Sequence, residues 1–228
     1  VVEKFVEDAY FVPNDALLDT IMENVEEFFA KHPRQYDLVT LPQNGGIANA
    51  RHIAERKATT KYLMFLDADD VLYPNAIETM YSKITADSDL MAVGCYLEYV
   101  NEKGKKIGGG LFIGEKTKEG FYEKAKNSKL IFMQPTAIYD RELALSVGGY
   151  VIDGYPTGKP RYQDYCEDLD LWTRMSDLYT QGKAIIVVPK ILCKYRKIGN
   201  GLSANSFNMI LKMRYTKKNL LSLNSMTL

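Results

Sequence analysis

The chain has 228 residues, and its 29 Lys plus Arg balance 29 Asp plus Glu, so the formal net charge is zero; 46% of residues are hydrophobic and 25% charged. These are the proportions of an ordinary globular protein. The neutral balance argues against a nucleic-acid binder, whose affinity comes from a basic surface. No apolar run approaches the ~18 residues that cross a bilayer, and no signal peptide is visible at Val1–Phe5. The three cysteines, Cys95, Cys166 and Cys193, are far apart and form neither a disulfide framework nor a metal pair. That usage predicts a reducing, cytoplasmic setting.

In chain order, Val1–Val6 alternates weakly and is predicted as a strand. Asp15 to Lys31 places Leu17, Leu18, Ile21, Val25, Phe28 and Phe29 on one face of an amphipathic helix. Asp37–Leu41 is a short strand, and Gly46–Ala58 carries Ile47, Ala50, Ile53 and Ala54 at helical spacing. Tyr62–Leu66 is a continuous apolar run, the pattern of a strand buried on both faces. Pro74 opens a helix with Ile77, Met80, Tyr81 and Ile84 inward, and Leu90–Val100 is a strand. Alternating strands and helices predict a parallel sheet with helices on its faces.

Beyond residue 100 the pattern changes. Asn101–Gly104 is a turn between strand-like pieces, and residues 152–165, with Gly154, Pro156, Gly158, Pro160 and three tyrosines, read as a loop. Glu167–Thr180 is a helix with Leu169, Trp172, Met175 and Tyr179 inward, closed by Gly182. Ala184–Val188 and Ile191–Tyr195 are strands, and a tail helix from Ser203 carries Lys212, Arg214, Lys217 and Lys218.

The sharpest chemical feature is Asp67-Ala68-Asp69-Asp70, directly after the apolar run. Alternation would put Asp67 and Asp69 on one side. Clustered acids at the carboxyl end of a strand suit a hard divalent cation, Mg²⁺ or Mn²⁺, and the phosphate that comes with it; a solvated acidic turn is the plainer alternative. Asn44-Gly45-Gly46 leads into a helix bearing Arg51, a geometry suited to an anionic ligand at a helix N-terminus. The same glycines could serve only the turn. In Cys166-Glu167-Asp168-Leu169-Asp170-Leu171-Trp172 two acids open a helix with a strong apolar face, and they either are functional or simply favour the helix dipole.

Together these segments resemble the inverting glycosyltransferases of family 2, which have the GT-A fold, a Rossmann-like mixed sheet flanked by helices. The resemblance rests on Asn44 to Arg51, on Tyr62 to Asp70 with Pro74-Asn75-Ala76, and on Glu167 to Arg174, in that order and spacing. Gly148-Gly149-Tyr150 is similar to the family's Gly-Gly-Phe, and Tyr195-Arg196 through Ser203 to its late Tyr-Arg…Ser segment. The resemblance implies that Asp69 and Asp67 hold Mn²⁺ or Mg²⁺ and the donor diphosphate, with Asp168 as general base. It implies that Glu167 and Trp172 bind the acceptor, and that Asp8, Asn44, Gly45, Arg51 and Asp67 bind the nucleotide sugar, a UDP-sugar first of all. The expected catalytic domain spans residues 1–205, with a nucleotide-binding half to about 100, an acceptor half from about 101, and a helical tail at 206–228. The implied acceptor is a glycan or a lipid-linked acceptor in cell-surface polysaccharide or glycolipid synthesis. The basic tail helix could rest on the inner face of the cell membrane.

Three departures stand out. His52 follows Arg51 where the family has Asn, and Lys197-Ile198 stands where a metal- or phosphate-touching His is often found. The family's opening strand–helix unit, with its Ile-Ile-Pro-type run, has no counterpart, so the chain reads as lacking that unit. Taken alone, Met64 to Leu72 also fits the nucleophile pattern of a haloacid-dehalogenase-type phosphatase, with Asp67 attacking phosphate and Asp69 as acid/base. A degenerate, binding-only transferase domain is the third reading.

Overall fold

The computed structural model describes residues 9–11, 30–31, 36–39, 41, 44–134, 136–152, 164–197 and 206–225. Asp8, the expected strand at Val1–Val6, nearly all of the helix from Asp15, and most of the 152–165 loop lie outside the described residues.

A small parallel pair, β1 (Ala9–Phe11) and β2 (Tyr36–Leu38), precedes α1 (Ile47–Lys57). A six-stranded sheet follows, built from β3 (Tyr62–Met64), β4 (Val71–Leu72), β5 (Leu90–Val100), β6 (Lys106–Leu111), β7 (Ile138–Asp140) and β8 (Ala184–Arg196). Its order is β3-β7-β5-β8-β4, with β6 paired to the second half of β5. The helices are α2 (Ala76–Thr85), α3 (Lys118–Lys126), α4 (Arg141–Ser146), α5 (Glu167–Met175), continued by a 3-10 turn at Ser176–Gln181, and α6 (Ser206–Ser225).

The sheet centre is β5, not the 62–66 run. Leu90 to Cys95 are all buried, as the unbroken apolar sequence Leu-Met-Ala-Val requires of a strand covered on both faces. β5 pairs in parallel with β8 over its whole length. β3 is shorter than expected, only half-buried, and pairs among the described residues with β7 alone; Leu66 is 44% exposed. The sheet is mixed, as the GT-A resemblance implies and alternation over the first hundred residues does not, because β3, β4 and β6 all pair antiparallel. The two strands expected at 184–188 and 191–195 are one. Proline cannot donate to a ladder, so Pro189 is passed by a register shift between Cys95↔Val188 and Tyr96↔Ile191.

The core lies between sheet and helices: Met80 and Ile84 of α2, Phe121 of α3, and Leu171, Trp172 and Met175 of α5 pack on Met91, Val93, Tyr139 and Ile185–Val187. This layer carries α1, the turn after β3 and the start of α5 to one end of the sheet.

Candidate active site

α1 starts at a turn built for glycine. Gly46 has φ 86, and a side chain there would meet the Asp164 carboxylate at 2.2 Å. Asn44 Oδ1 accepts from the Gly46 amide at 3.0 Å, and Asp164 Oδ1 accepts from the Ala48 amide at 3.0 Å. The helix N-terminus that the sequence offers to an anionic ligand thus already carries a carboxylate of the protein itself. A Cβ on Gly45 would lie 2.2 Å from the Asn49 side-chain amide, which would have to turn away.

One turn and a half into α1, Arg51 is 4% exposed. Its Nη1 donates to Glu167 Oε1 at 2.5 Å and its Nη2 to Asp67 Oδ1 at 2.7 Å. The guanidinium lies 5.7 Å from the Phe65 ring centroid and 5.8 Å from that of Tyr150. A planar fork with several donors can bridge two carboxylates while stacking on rings, which an ammonium cannot do. Arg51 therefore joins the acidic turn after β3 to the first turn of α5.

The acidic segment is a turn, closed by the Asp70 amide donating to the Asp67 carbonyl at 3.0 Å, so strand alternation does not apply to it. Asp67 is half-buried against Arg51, Asp69 is exposed, and Asp70 is buried. The end of β8 anchors this turn. The Arg196 amide donates to Asp70 Oδ1 at 2.9 Å, and Arg196 Nε donates to the Asp69 carbonyl at 2.8 Å. Burial, aided by the charges of Asp69 and Asp67, pushes the Asp70 carboxyl up to about 7 against the pull of the Arg196 amide.

α5 begins at Cys166, which takes the left-handed backbone at φ 56. The turn that follows carries buried Glu167 and half-buried Asp168. Burial raises the pKa of both carboxyls, and the Arg51 guanidinium opposes it. Trp172, expected to touch the acceptor, is fully buried with its ring centroid 5.6 Å from that of Tyr139. It packs the core beneath the site and does not line it.

Several supporting residues have roles that the sequence did not indicate. Glu55, one turn after Arg51 on α1, is fully buried and accepts from the Tyr139 hydroxyl at 3.0 Å and the Tyr150 amide at 2.9 Å. Gly149 (φ 61) leaves room for it, since a Cβ would sit 2.1 Å from Glu55 Oε2. Arg174 holds the carbonyls of Val147 at 2.7 Å and Gly149 at 2.8 Å. His52 Nδ1 lies 2.6 Å from the Tyr150 carbonyl, so a proton there donates to it. The Gly148–Tyr150 segment is thereby fixed beside Arg51. Glu55 was detectable in principle, as an acid on the inner face of an amphipathic helix; nothing in the sequence marked Asp164.

Asp69 and Asp67 are hard oxygen donors, and Arg51 engages only Oδ1 of Asp67. Their donor type suits a hard divalent cation. Among the described residues, no three His, Cys, Asp or Glu side chains gather into a metal cage.

The mixed sheet flanked by helices, with the acidic turn and the Arg-linked helix start at one end, matches the GT-A fold. Comparison with solved structures agrees on the fold. Staphylococcus aureus TarS residues 1–349 align with a TM-score of 0.58 at 18% identity, covering 83% of this chain and 51% of that one. A mannosyltransferase of Pyrobaculum calidifontis in complex with GDP-Man and Mn²⁺ gives 0.56 at 22% identity over 88% and 51%. The family model described as Glycosyl transferase family 2 matches residues 10–147, and the chain belongs to that family. An uncharacterized glycosyltransferase of Haemophilus influenzae is 26% identical over 85% of this chain and 57% of its own length. The chondroitin synthase of Pasteurella multocida is 33% identical over 42% of this chain and 10% of its own. The chain thus spans about half of the first relative and a tenth of the second.

Proposed function

We propose that the chain is the catalytic domain of an inverting glycosyltransferase, moving a sugar from a nucleoside-diphosphate sugar to a hydroxyl of a glycan or lipid-linked acceptor. The observation that carries this reading is the meeting of Asp67 and Glu167 on Arg51, which joins the donor-side turn to the acceptor-side helix. The nucleotide-binding half of the domain would include Asp8. Names among the relatives, chondroitin synthase and teichoic acid poly(glycerol phosphate) polymerase, support a cell-surface polymer as the product class. The UDP complex of TarS supports a UDP-sugar donor, and the mannosyltransferase complex supports Mn²⁺. The phosphatase reading accounts for the acidic turn alone, and it leaves Arg51 and Glu167 without a role.

In this mechanism Asp168 accepts the proton of the acceptor hydroxyl while that oxygen bonds to the anomeric carbon. The carbon–oxygen bond to the diphosphate breaks on the opposite face, and the nucleoside diphosphate leaves with the electron pair, inverting the centre. Burial lifts Asp168 toward the working pH, which suits a general base. Glu167, held by Arg51, orients the acceptor beside it. Arg51 keeps Asp67 in place and faces the nucleotide side, as do Asn44 and Gly45 through the turn they form. A divalent cation at Asp69 and Asp67 would neutralise charge on the leaving diphosphate. The domain would work in the cytoplasm, at the inner face of the cell membrane. Exposed Phe207, Ile210, Arg214 and Lys217, on one side of α6, would be its peripheral contact.

Thermal denaturation with UDP, GDP or TDP, each with Mn²⁺, tests the reading. One of them raises the melting temperature of the wild-type chain, and Asp69→Ala abolishes the shift; no shift with any of the three overturns it.

A further inference from the structure

Lys212, in the middle of α6, belongs in the sequence to a basic stretch expected to face solvent or lipid. It is instead fully buried, and Thr216, one turn on, is buried with it. Lysines are almost never fully buried unless paired. Here Nζ lies 4.0 Å from Asp170 Oδ1, the oxygen that also accepts from the Thr216 hydroxyl at 3.2 Å. The other oxygen, Oδ2, accepts from Arg174 Nε at 3.0 Å, and Arg174 goes on to hold the Val147 and Gly149 carbonyls. Asp170 is thus the point where α6, α5 and the Gly148–Tyr150 segment are tied together. It is also one helical turn from the start of α5: its amide donates to the Cys166 carbonyl at 3.0 Å.

Asp170 alone does not account for a second cation, because Arg174 already pairs with it at 3.0 Å. The first turn of α5 holds three carboxylates, Glu167, Asp168 and Asp170. Arg51 serves Glu167 but is shared with Asp67, which leaves that turn short of positive charge. Burial lowers the Lys212 ammonium to about 8, and the groups that oppose this are Asp170 first and then Glu167. An apolar side chain would seat α6 without the cost of burying an ion.

We propose that α6 is part of the catalytic unit and that Lys212 is a positioning residue, whose buried ammonium, held at Asp170, fixes the first turn of α5 and with it Glu167 and Asp168. The inference rests on the reading of Asp168 as the base. It assigns α6 a task that a surface helix does not have.

The test uses the whole chain with Lys212→Met and with the double variant Lys212→Met/Asp170→Asn. Amide hydrogen exchange over residues 166–170 is measured without ligand. Nucleoside diphosphate release from UDP-, GDP- and TDP-sugars with Mn²⁺ is measured alongside it. Lys212→Met speeds exchange at 166–170 at least ~10-fold while the sheet amides are unchanged. It lowers kcat at least ~10-fold with donor KM within about 2-fold. Lys212→Met also lowers the melting temperature, by leaving the Asp170 charge under-compensated; the double variant, which removes both buried charges, recovers the melting temperature but not kcat. Unchanged exchange at 166–170 in Lys212→Met overturns the inference, as does recovery of both melting temperature and kcat in the double variant. Absence of nucleotide release by the wild-type chain counts against the proposed function, and the exchange comparison, which needs no substrate, still decides the role of Lys212.

Discussion

Arg51 and Glu167 are 116 residues apart in sequence and joined by a 2.5 Å charge-assisted hydrogen bond in a site from which the arginine is almost wholly withdrawn from water. The same guanidinium holds Asp67 at 2.7 Å. Removing one partner of a buried ion pair leaves the others uncompensated, at a cost of about 3–5 kcal/mol. Arg51→Met is therefore expected to lower the urea midpoint strongly. Arg51→Lys recovers only part of the loss, because an ammonium cannot bridge both acids and stack on Phe65 and Tyr150. Equal stability of the lysine variant and the wild type would show that the fork geometry is unimportant.

On the proposed mechanism the two acidic segments separate binding from chemistry. Asp168→Asn keeps the nucleotide-dependent melting shift and lowers turnover about 10²–10⁴-fold, the usual worth of a general base. The measurement is nucleotide release beside a thermal shift on the same sample. Full turnover in the asparagine variant would remove Asp168 from the role of base.

Lys212 gives stability an alkaline pH dependence. The folded chain releases its proton near pH 8, whereas the unfolded chain keeps it to about 10.5. Between those values the unfolded state binds more protons, so this group makes stability rise with pH. Below pH 8 the cost of burying the charge is present in full. The groups facing it on α5 are Asp170, Glu167 and Cys166, with Arg174 opposing. The difference in unfolding free energy between wild type and Lys212→Met should grow in favour of wild type from pH 8 to 10. A flat difference would mean that Lys212 keeps an ordinary pKa.

Gly149 is a purely steric prediction. Its φ of 61 and the 2.1 Å approach to Glu55 Oε2 leave no place for a methyl group. Backbone strain of about 1–2 kcal/mol adds to the displacement of a buried carboxylate, so Gly149→Ala should lower the melting temperature markedly. Gly182, with φ 75 and open space around it, should respond to alanine by the strain alone.

Much of the front of the fold is legible from spacing. α1, α2 and β5 stand where apolar periodicity puts them, because each buries one clear stripe or a continuous run. Tyr62–Leu66 misleads because hydrophobicity reports burial somewhere and not which neighbour supplies it; among the described residues β3 has only β7 beside it. Pro189 reads as a break, yet β8 absorbs it as a bulge because the long pairing with β5 outweighs one missing donor. At the site, the acids and Arg51 were visible as motif residues, but their joining was not. Nor was Asp164, whose bond to Ala48 spans the same distance along the chain. Lys212 looked like a solvated cation because its partner, Asp170, lies on another helix.

The bonds across the site also bear on how such proteins can be recombined. Arg51 to Glu167, Ala48 to Asp164 and Asp70 to Arg196 each join the first hundred residues to the last stretch of the domain, and β5 pairs with β8 along its length. The front and back halves of the chain are consequently not separable modules. Grafting residues 1–100 from a relative would import half of three bonds and half of a strand pair. A chimera that exchanges the first hundred residues must carry the residues around 164–170 and 184–196 with it.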